Sequence, residues 1–301
     1  MPTHVPLPPT GAQFEITAGD VAATVTEVGA GLRAFSAGGR PYVESFPADG
    51  RPPRGAGTVL VPWPNRTAGG RWTWNGAAQQ LALSEPAAGN AIHGLLRHTF
   101  YDVVERSADA ITLGARVAPQ NGWPVPLATR IRYAVSADGL AVTHTVVNAG
   151  ADAVPFGVGA HPYVRAGDAA TDDCRLRLAA STVLPLEEGL PTGPARPDDG
   201  FRAGRPLAGL ELDHAFGGCA PEPGDTLVRH RLTAPDGGVE LWADPDFRWV
   251  QVFTPADHPG RGRAVAVEPM TCPPDALNSG TDLIVLSPGG SWTGSWGLRP
   301  L

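Results

Sequence analysis

The stretch from Leu127 to Val135 sets the pattern for the chain: Leu127, Ile131, Tyr133 and Val135 share one parity, Arg130 and Arg132 the other. A period of two turns one face of a strand inward and leaves the other to solvent. Short runs of the same character recur at 14–17, 21–28, 32–35, 111–117, 140–148, 239–243, 249–254, 264–268, 283–287 and 292–298, separated by Gly, Pro, Asp or Asn. No convincing amphipathic helix exceeds two turns. Gly 38 and Pro 32 approach the share found in disordered chains. Here they punctuate apolar alternation, so they read as turns. The expectation is all-β: one large single-domain antiparallel β-sandwich over 13–301, after a loose Pro-rich lead-in over 1–12, with no repeat and no linker.

Several function classes are disfavoured. A net charge of −7 argues against nucleic acid and anionic membranes as partners. No apolar run approaches the roughly 20 residues that span a bilayer, and residues 1–9 lack a signal-peptide pattern. The expected location is the cytoplasm. Cys174, Cys219 and Cys272 are odd in number and widely spaced, unlike a disulfide framework or a cysteine-rich zinc site. All 23 basic residues are arginine. Schiff-base chemistry and the lysine of phosphate-binding loops are therefore out of reach. The glycine signature of dinucleotide binding and the serine-hydrolase elbow are also missing.

Five stretches carry side chains suited to chemistry. In Phe156-Gly157-Val158-Gly159-Ala160-His161-Pro162-Tyr163, glycines clear space and Pro162 holds His161 extended. His161 is then either an aimed proton-transfer group or a hydrogen-bonded core histidine at a strand end. Pro62-Trp63-Pro64-Asn65-Arg66 ends an apolar strand in an amide and a guanidinium, a donor set for a hydroxyl-rich ligand or a plain surface loop. Trp63 could add hydrophobic surface. Asn90-Ala91-Ile92-His93-Gly94 sets His93 beside a glycine. Asp213 lies between apolar residues, where it would bind hydroxyls or cap a turn. In 263–271, Glu268 shares parity with Ala264 and Ala266, so its carboxylate emerges on a small-residue face where a strand ends at Pro269. The loop with Pro273, Ala276 and Asn278 could fold back over it. Of the remaining histidines, His144 reads as a structural strand-face residue, and His4, His98, His230 and His258 read as surface.

Pro64-Asn65-Arg66, Ile92-His93-Gly94, Gly159 to Tyr163, Leu212-Asp213 with Phe216, and Val267-Glu268-Pro269 through Asn278, taken in order, resemble the aldose 1-epimerase (mutarotase) family. The resemblance runs from Gly29 to the Trp296 region. It implies a galactose mutarotase-like supersandwich, with His161 as general acid, Glu268 as general base and His93 assisting. Arg66 and Asp213 would hold sugar hydroxyls, while Asn65, Trp123 and Tyr163 would form pocket walls. No cofactor and no metal are implied. The Pro-Asn-Arg form looks more like a bacterial branch whose sugar preferences vary.

The implied reaction interconverts the α and β anomers of a free aldohexose by acid/base ring opening, which one base and one acid can perform. A carboxylate near His161 is expected to favour its protonated form. One alternative keeps the fold but takes an anionic, phosphorylated or sulfonated hexose, held by Arg66 with Arg54, Arg71 or Arg97. A metal enzyme built on His93, His161 and Glu268 lacks supporting spacing. A glycosidase using Glu268 and Asp213 would leave the aimed histidine without a task. A non-catalytic sugar-binding module would bind without exchanging anomers. The identity of the sugar and the oligomeric state are not encoded in these motifs.

Overall fold

Period-two patterning becomes two large antiparallel sheets in the computed structural model, which describes residues 7–301. One sheet has nine strands, in the order Asp102–Arg106, Ala110–Val117, Leu127–Ser136, Gly139–Asn148, Ser291–Pro300, Gly237–Ala243, Val228–Ala234, Arg175–Arg177 and Arg205–Pro206. The other has seven: Arg196–Pro197, Thr182–Leu184, Asp213–Gly217, Trp249–Phe253, Ala266–Met270, Gly159–Ala160 and Val59–Leu60. A four-stranded sheet over residues 13–41 packs alongside. Leu127, Ile131, Tyr133 and Val135 are buried while Arg130 and Arg132 are exposed, as their parity requires. They share one apolar core with Val250, Val252 and Val267 of the seven-stranded sheet. Such burial is the main favourable term in folding.

The chain is a β-sandwich, and the one α-helical turn among the described residues is Ala276–Ser279. No helix among the described residues is long and apolar enough to cross a membrane. Within the expected lead-in, residues 1–6, His4 included, lie outside the described residues. Thr10 and Ala12 accept backbone bonds from Val28 and Glu27.

Two expectations are corrected. The strand bearing Glu268 does not stop at Pro269 but runs on to Met270. On one flank Val267 and Thr271 donate to the carbonyls of Pro162 and Val158. Pro269, between them, has no N–H to give, so the missing bond falls beside Ala160 and His161. His230 and His258 are 2% and 1% exposed, not surface residues. Flanking polar residues predict a side chain's exposure poorly where a sheet or a ring lies beneath it. His144 is buried on its strand and accepts the indole N–H of Trp296 at 2.9 Å.

Candidate active site

One face of the seven-stranded sheet feeds the core; the other carries the site. Strand register fixes the layout. Gln251 pairs with Glu268 and Phe253 with Ala266, while Asp213 pairs with Phe253 and Ala215 with Gln251. Tyr163 bridges to Ala266. Asp213, Gln251 and Glu268 therefore stand side by side between two small apolar clusters, one with Tyr163 and Ala266, the other with Ala215, Trp249 and Met270. The small-residue face expected around Glu268 is what admits Tyr163 and Phe253 beside it.

His161 follows Gly159–Ala160, its backbone N–H donating to Thr58 and its carbonyl accepting from Gly57. Its Nε2 lies 3.4 Å from Glu268 Oε1. Across the opening, Arg66–Thr67 pairs with Ala91–Ile92, and the ladder continues irregularly to Asn65 and His93. His93 N–H donates to the Asn65 carbonyl at 2.9 Å, but Asn65 N–H donates to the Nδ1 of His93 at 3.2 Å. That bond assigns the proton of neutral His93 to Nε2 and makes it a donor. Both residues sit at positive φ, 55° and 62°, a strained backbone of the kind that concentrates at functional sites. Behind His93, Gly94 (φ 72°) passes so close that a Cβ would lie 2.1 Å from the Val61 carbonyl oxygen.

Glu268, His161, His93, Arg66, Asp213 and Asn65 all line one cavity of about 300 Å³, with Gln251, Phe253, Arg54, Arg97, Ser84 and Glu85. That volume is at the lower end for small-molecule sites. Arg66 is held by a bidentate pair to Glu85, 2.7 and 2.8 Å, a geometry that fixes a guanidinium in one plane. Gly189 closes on it from the far side. Asp213 accepts the Gln251 amide at 2.5 Å, which leaves Gln251 Oε1 buried without a donor next to Glu268, whose Oε2 is also unpartnered. A proton on Glu268 would supply what both lack.

Burial pushes the Glu268 carboxyl well above the carboxylate range; Asp213 adds to this and Arg66 opposes it. Burial likewise lowers His161 to about 4. The expectation that the adjacent carboxylate would keep His161 protonated is therefore corrected: desolvation of two buried charges outweighs their attraction. Both shifts favour the uncharged pair, a protonated Glu268 beside a neutral His161. His93 is lowered too, first by burial and then by His161, in keeping with its role as an acceptor at Nδ1.

Three expected placements fail. Trp123 is fully buried and stacks on Trp72 at 5.3 Å, with Trp63 at 5.8 Å. An indole among indoles fills the core, so neither Trp123 nor Trp63 is a pocket wall. Tyr163 lies behind His161, ring centroids 5.2 Å apart, and does not line the cavity. The loop after Pro273 does not cover Glu268. Asp275 N–H donates to the Arg66 carbonyl, Asp275 Oδ1 accepts from Ala68, and Asn278 binds the Arg71 carbonyl, so this loop braces the Arg66 segment. Of the arginines weighed for an anionic ligand, Arg54 and Arg97 reach the cavity and Arg71 does not. Gln251 was unanticipated, although Val250-Gln251-Val252 has the same buried-strand polar insertion as Val267-Glu268. Glu85 sits in a loop with no periodic signal. Among the described residues no group of three His, Cys, Asp or Glu side chains is placed to hold a metal ion.

The aldose 1-epimerase family model matches residues 12–299. The chain is 34% identical to an uncharacterised Escherichia coli protein, YihR, over 93% of this chain and 90% of that one. A galactose mutarotase-like protein from Clostridium acetobutylicum superposes with a TM-score of 0.84 at 18% identity, covering 95% of this chain and 94% of that one. An aldose epimerase homologue from Caenorhabditis elegans gives 0.83 at 17%, covering 96% and 98%. The chain belongs to the aldose 1-epimerase family, and its β-sandwich is the galactose mutarotase-like one. Membership of that family makes a sugar epimerase the class of activity to which the cavity is to be fitted.

Proposed function

We propose that the protein is a cofactor-independent aldose 1-epimerase that interconverts the anomers of a free aldohexose in the cytoplasm. The observation that carries this reading is the buried Glu268–His161 pair, 3.4 Å apart, in a cavity rimmed by hydroxyl-binding groups. Glu268 as carboxylate takes the proton of the C1 hydroxyl. The C1–O1 bond becomes a carbonyl, the C1–O5 bond breaks, and O5 takes a proton from His161. After rotation about C1–C2 the two transfers run backwards onto the other face. His93 Nε2–H donates to the oxygen that gains charge, and Arg66 and Asp213 hold the remaining hydroxyls.

With the proton that the pair exchanges on Glu268 and His161 neutral, the two groups stand as they would beside the open-chain aldehyde. Binding of the cyclic sugar must therefore move the shared proton to His161, and Arg66 stabilises the carboxylate that remains. Polarimetry tests the assignment: with freshly dissolved α-aldohexoses, the protein is expected to speed relaxation of optical rotation for at least one neutral sugar. No acceleration across glucose, galactose and their common epimers would refute it.

One observation favours a second reading. Arg66 is paired with Glu85 and Arg54 with Asp257, but among the described residues Arg97 has no carboxylate partner and donates to the Ser84 carbonyl. A desolvated, unpaired guanidinium in the cavity suits an anionic hexose. Under that reading Arg97→Gln raises KM for a hexose phosphate by about tenfold or more while neutral sugars change little. Equal effects on both would remove it.

A further inference from the structure

Most histidines that move protons have their second ring nitrogen hydrogen-bonded, which fixes tautomer and orientation. His161 does not: its Nδ1 is buried without a partner, and Nε2 reaches Glu268 only at 3.4 Å. Rings surround it instead. His93 meets it edge-on with centroids 5.5 Å apart, and Tyr163 lies against it at 5.2 Å and 30°. His258 packs in turn against Tyr163 at 4.7 Å. The Tyr163 hydroxyl and both nitrogens of His258 are themselves buried and unpartnered. Orphaned polar atoms cost about 1–3 kcal/mol each, so four of them in one contiguous stack beside the acid/base pair call for a reason.

The stack is anchored from outside. His258 N–H donates to the Gly262 carbonyl at 2.7 Å, closing the loop that carries it. The adjacent Asp257 is bound by Arg54 of the cavity wall. Phe46, Ala56, Ala264 and Ala266 pack Tyr163 from the remaining sides.

We propose that Tyr163 and His258 are positioning residues for His161, the ring stack holding the imidazole against Glu268 in place of the hydrogen bond that Nδ1 lacks. The proposal rests on the acid role given to His161 above. It adds an electrostatic condition. The charged or titratable groups facing His258 are Arg54, Asp257, Tyr163 and His161, and a cation on His258 opposes one on His161. Burial, with Arg54, lowers His258 against the opposing pull of the Pro259 backbone and Asp257, which favours the transferred proton residing on His161 rather than on His258.

Two readouts test this. In His258→Ala, kcat for mutarotation, normalised to the folded fraction from thermal unfolding, is expected to fall about tenfold or more with KM within about threefold. His258→Phe, which restores a ring, is expected to recover most of that loss. Independently of any activity, imidazole NMR at pH 7 should show the His161 ring signals displaced or broadened in His258→Ala and close to wild type in His258→Phe, because the ring stack sets their surroundings. If the wild type exchanges no sugar, the functional reading fails while the His161 ring signals still test the stack. His161 ring signals unmoved in folded His258→Ala, or wild-type kcat in that variant, overturns the proposal.

Discussion

Glu268→Gln is expected to lower kcat for anomer exchange by roughly 10²–10⁴-fold while making the protein harder to unfold at neutral pH. The loss of rate follows from removing the base, since an amide of the same shape cannot take the C1 hydroxyl proton. The gain in stability follows from burial. Glu268 is 2% exposed and its carboxyl is held well above the usual range. The unfolded chain ionises it above about pH 4.5, whereas the folded chain keeps it protonated until much higher pH. The folded state therefore loses stability as pH rises from the unfolded value, and the full penalty is present above the folded one. Glutamine, neutral throughout, escapes it, and its amide can donate to Gln251 Oε1. Melting temperature measured between pH 5 and 8 should show the variant ahead by a margin that widens with pH. A variant less stable than wild type at pH 8 would show that the carboxylate is better accommodated than its surroundings imply. Opposed changes in activity and stability are what a strained site produces.

Acid should unfold the protein early. His93, His144 and His230 each use a ring nitrogen as an acceptor, from Asn65 N–H, the Trp296 indole and Ala179 N–H. His161 is buried beside them in kind if not in place. Burial lowers His144 and His230 to about 3 and His161 to about 4, and His93 well below its ordinary value. These groups bind protons in the unfolded chain below about pH 6.5 but not in the folded one, so stability falls as pH drops through that window. Each contributes a loss of about 1.4 kcal/mol per pH unit. Glu44 and Glu268, both raised, act in the opposite sense above about 4.5. Four histidines against two carboxyls leave a net loss of several kcal/mol over two units, comparable with the roughly 5–15 kcal/mol that holds a domain together. Tryptophan fluorescence against pH should show a cooperative transition above pH 4. His144→Gln, which keeps an acceptor for Trp296 but does not titrate, should move it lower. A native spectrum at pH 3 would contradict this.

Parity in Leu127–Ser136 foretold which face is buried, because a residue spacing of two is a local property of the strand. The same holds for Ala264, Ala266 and Glu268. Motif order assembled His161, Glu268, His93, Arg66, Asp213 and Asn65, and all six line the cavity. Properties set by tertiary depth escaped. Trp123, in a turn-like Asn121-Gly122-Trp123-Pro124 setting, offers no local sign of the two indoles it meets. Strands of two residues, Val59–Leu60 and Gly159–Ala160, are too short to show a period. The charge on His161 depends on how far it is removed from water, which no neighbouring residue type encodes. His258, flanked by Asp257 and Pro259, reads as a turn residue until Tyr163 is placed beneath it.

The most direct test of the central assignment is exchange NMR on sugars already at anomeric equilibrium, following magnetisation transfer between the α and β H1 signals. With wild-type protein the exchange rate should rise in proportion to enzyme concentration for at least one aldohexose, and fall to near the spontaneous rate with the same amount of folded His161→Asn. Exchange that persists undiminished in His161→Asn, or that never exceeds the spontaneous rate in wild type for any neutral or anionic hexose, would contradict the account.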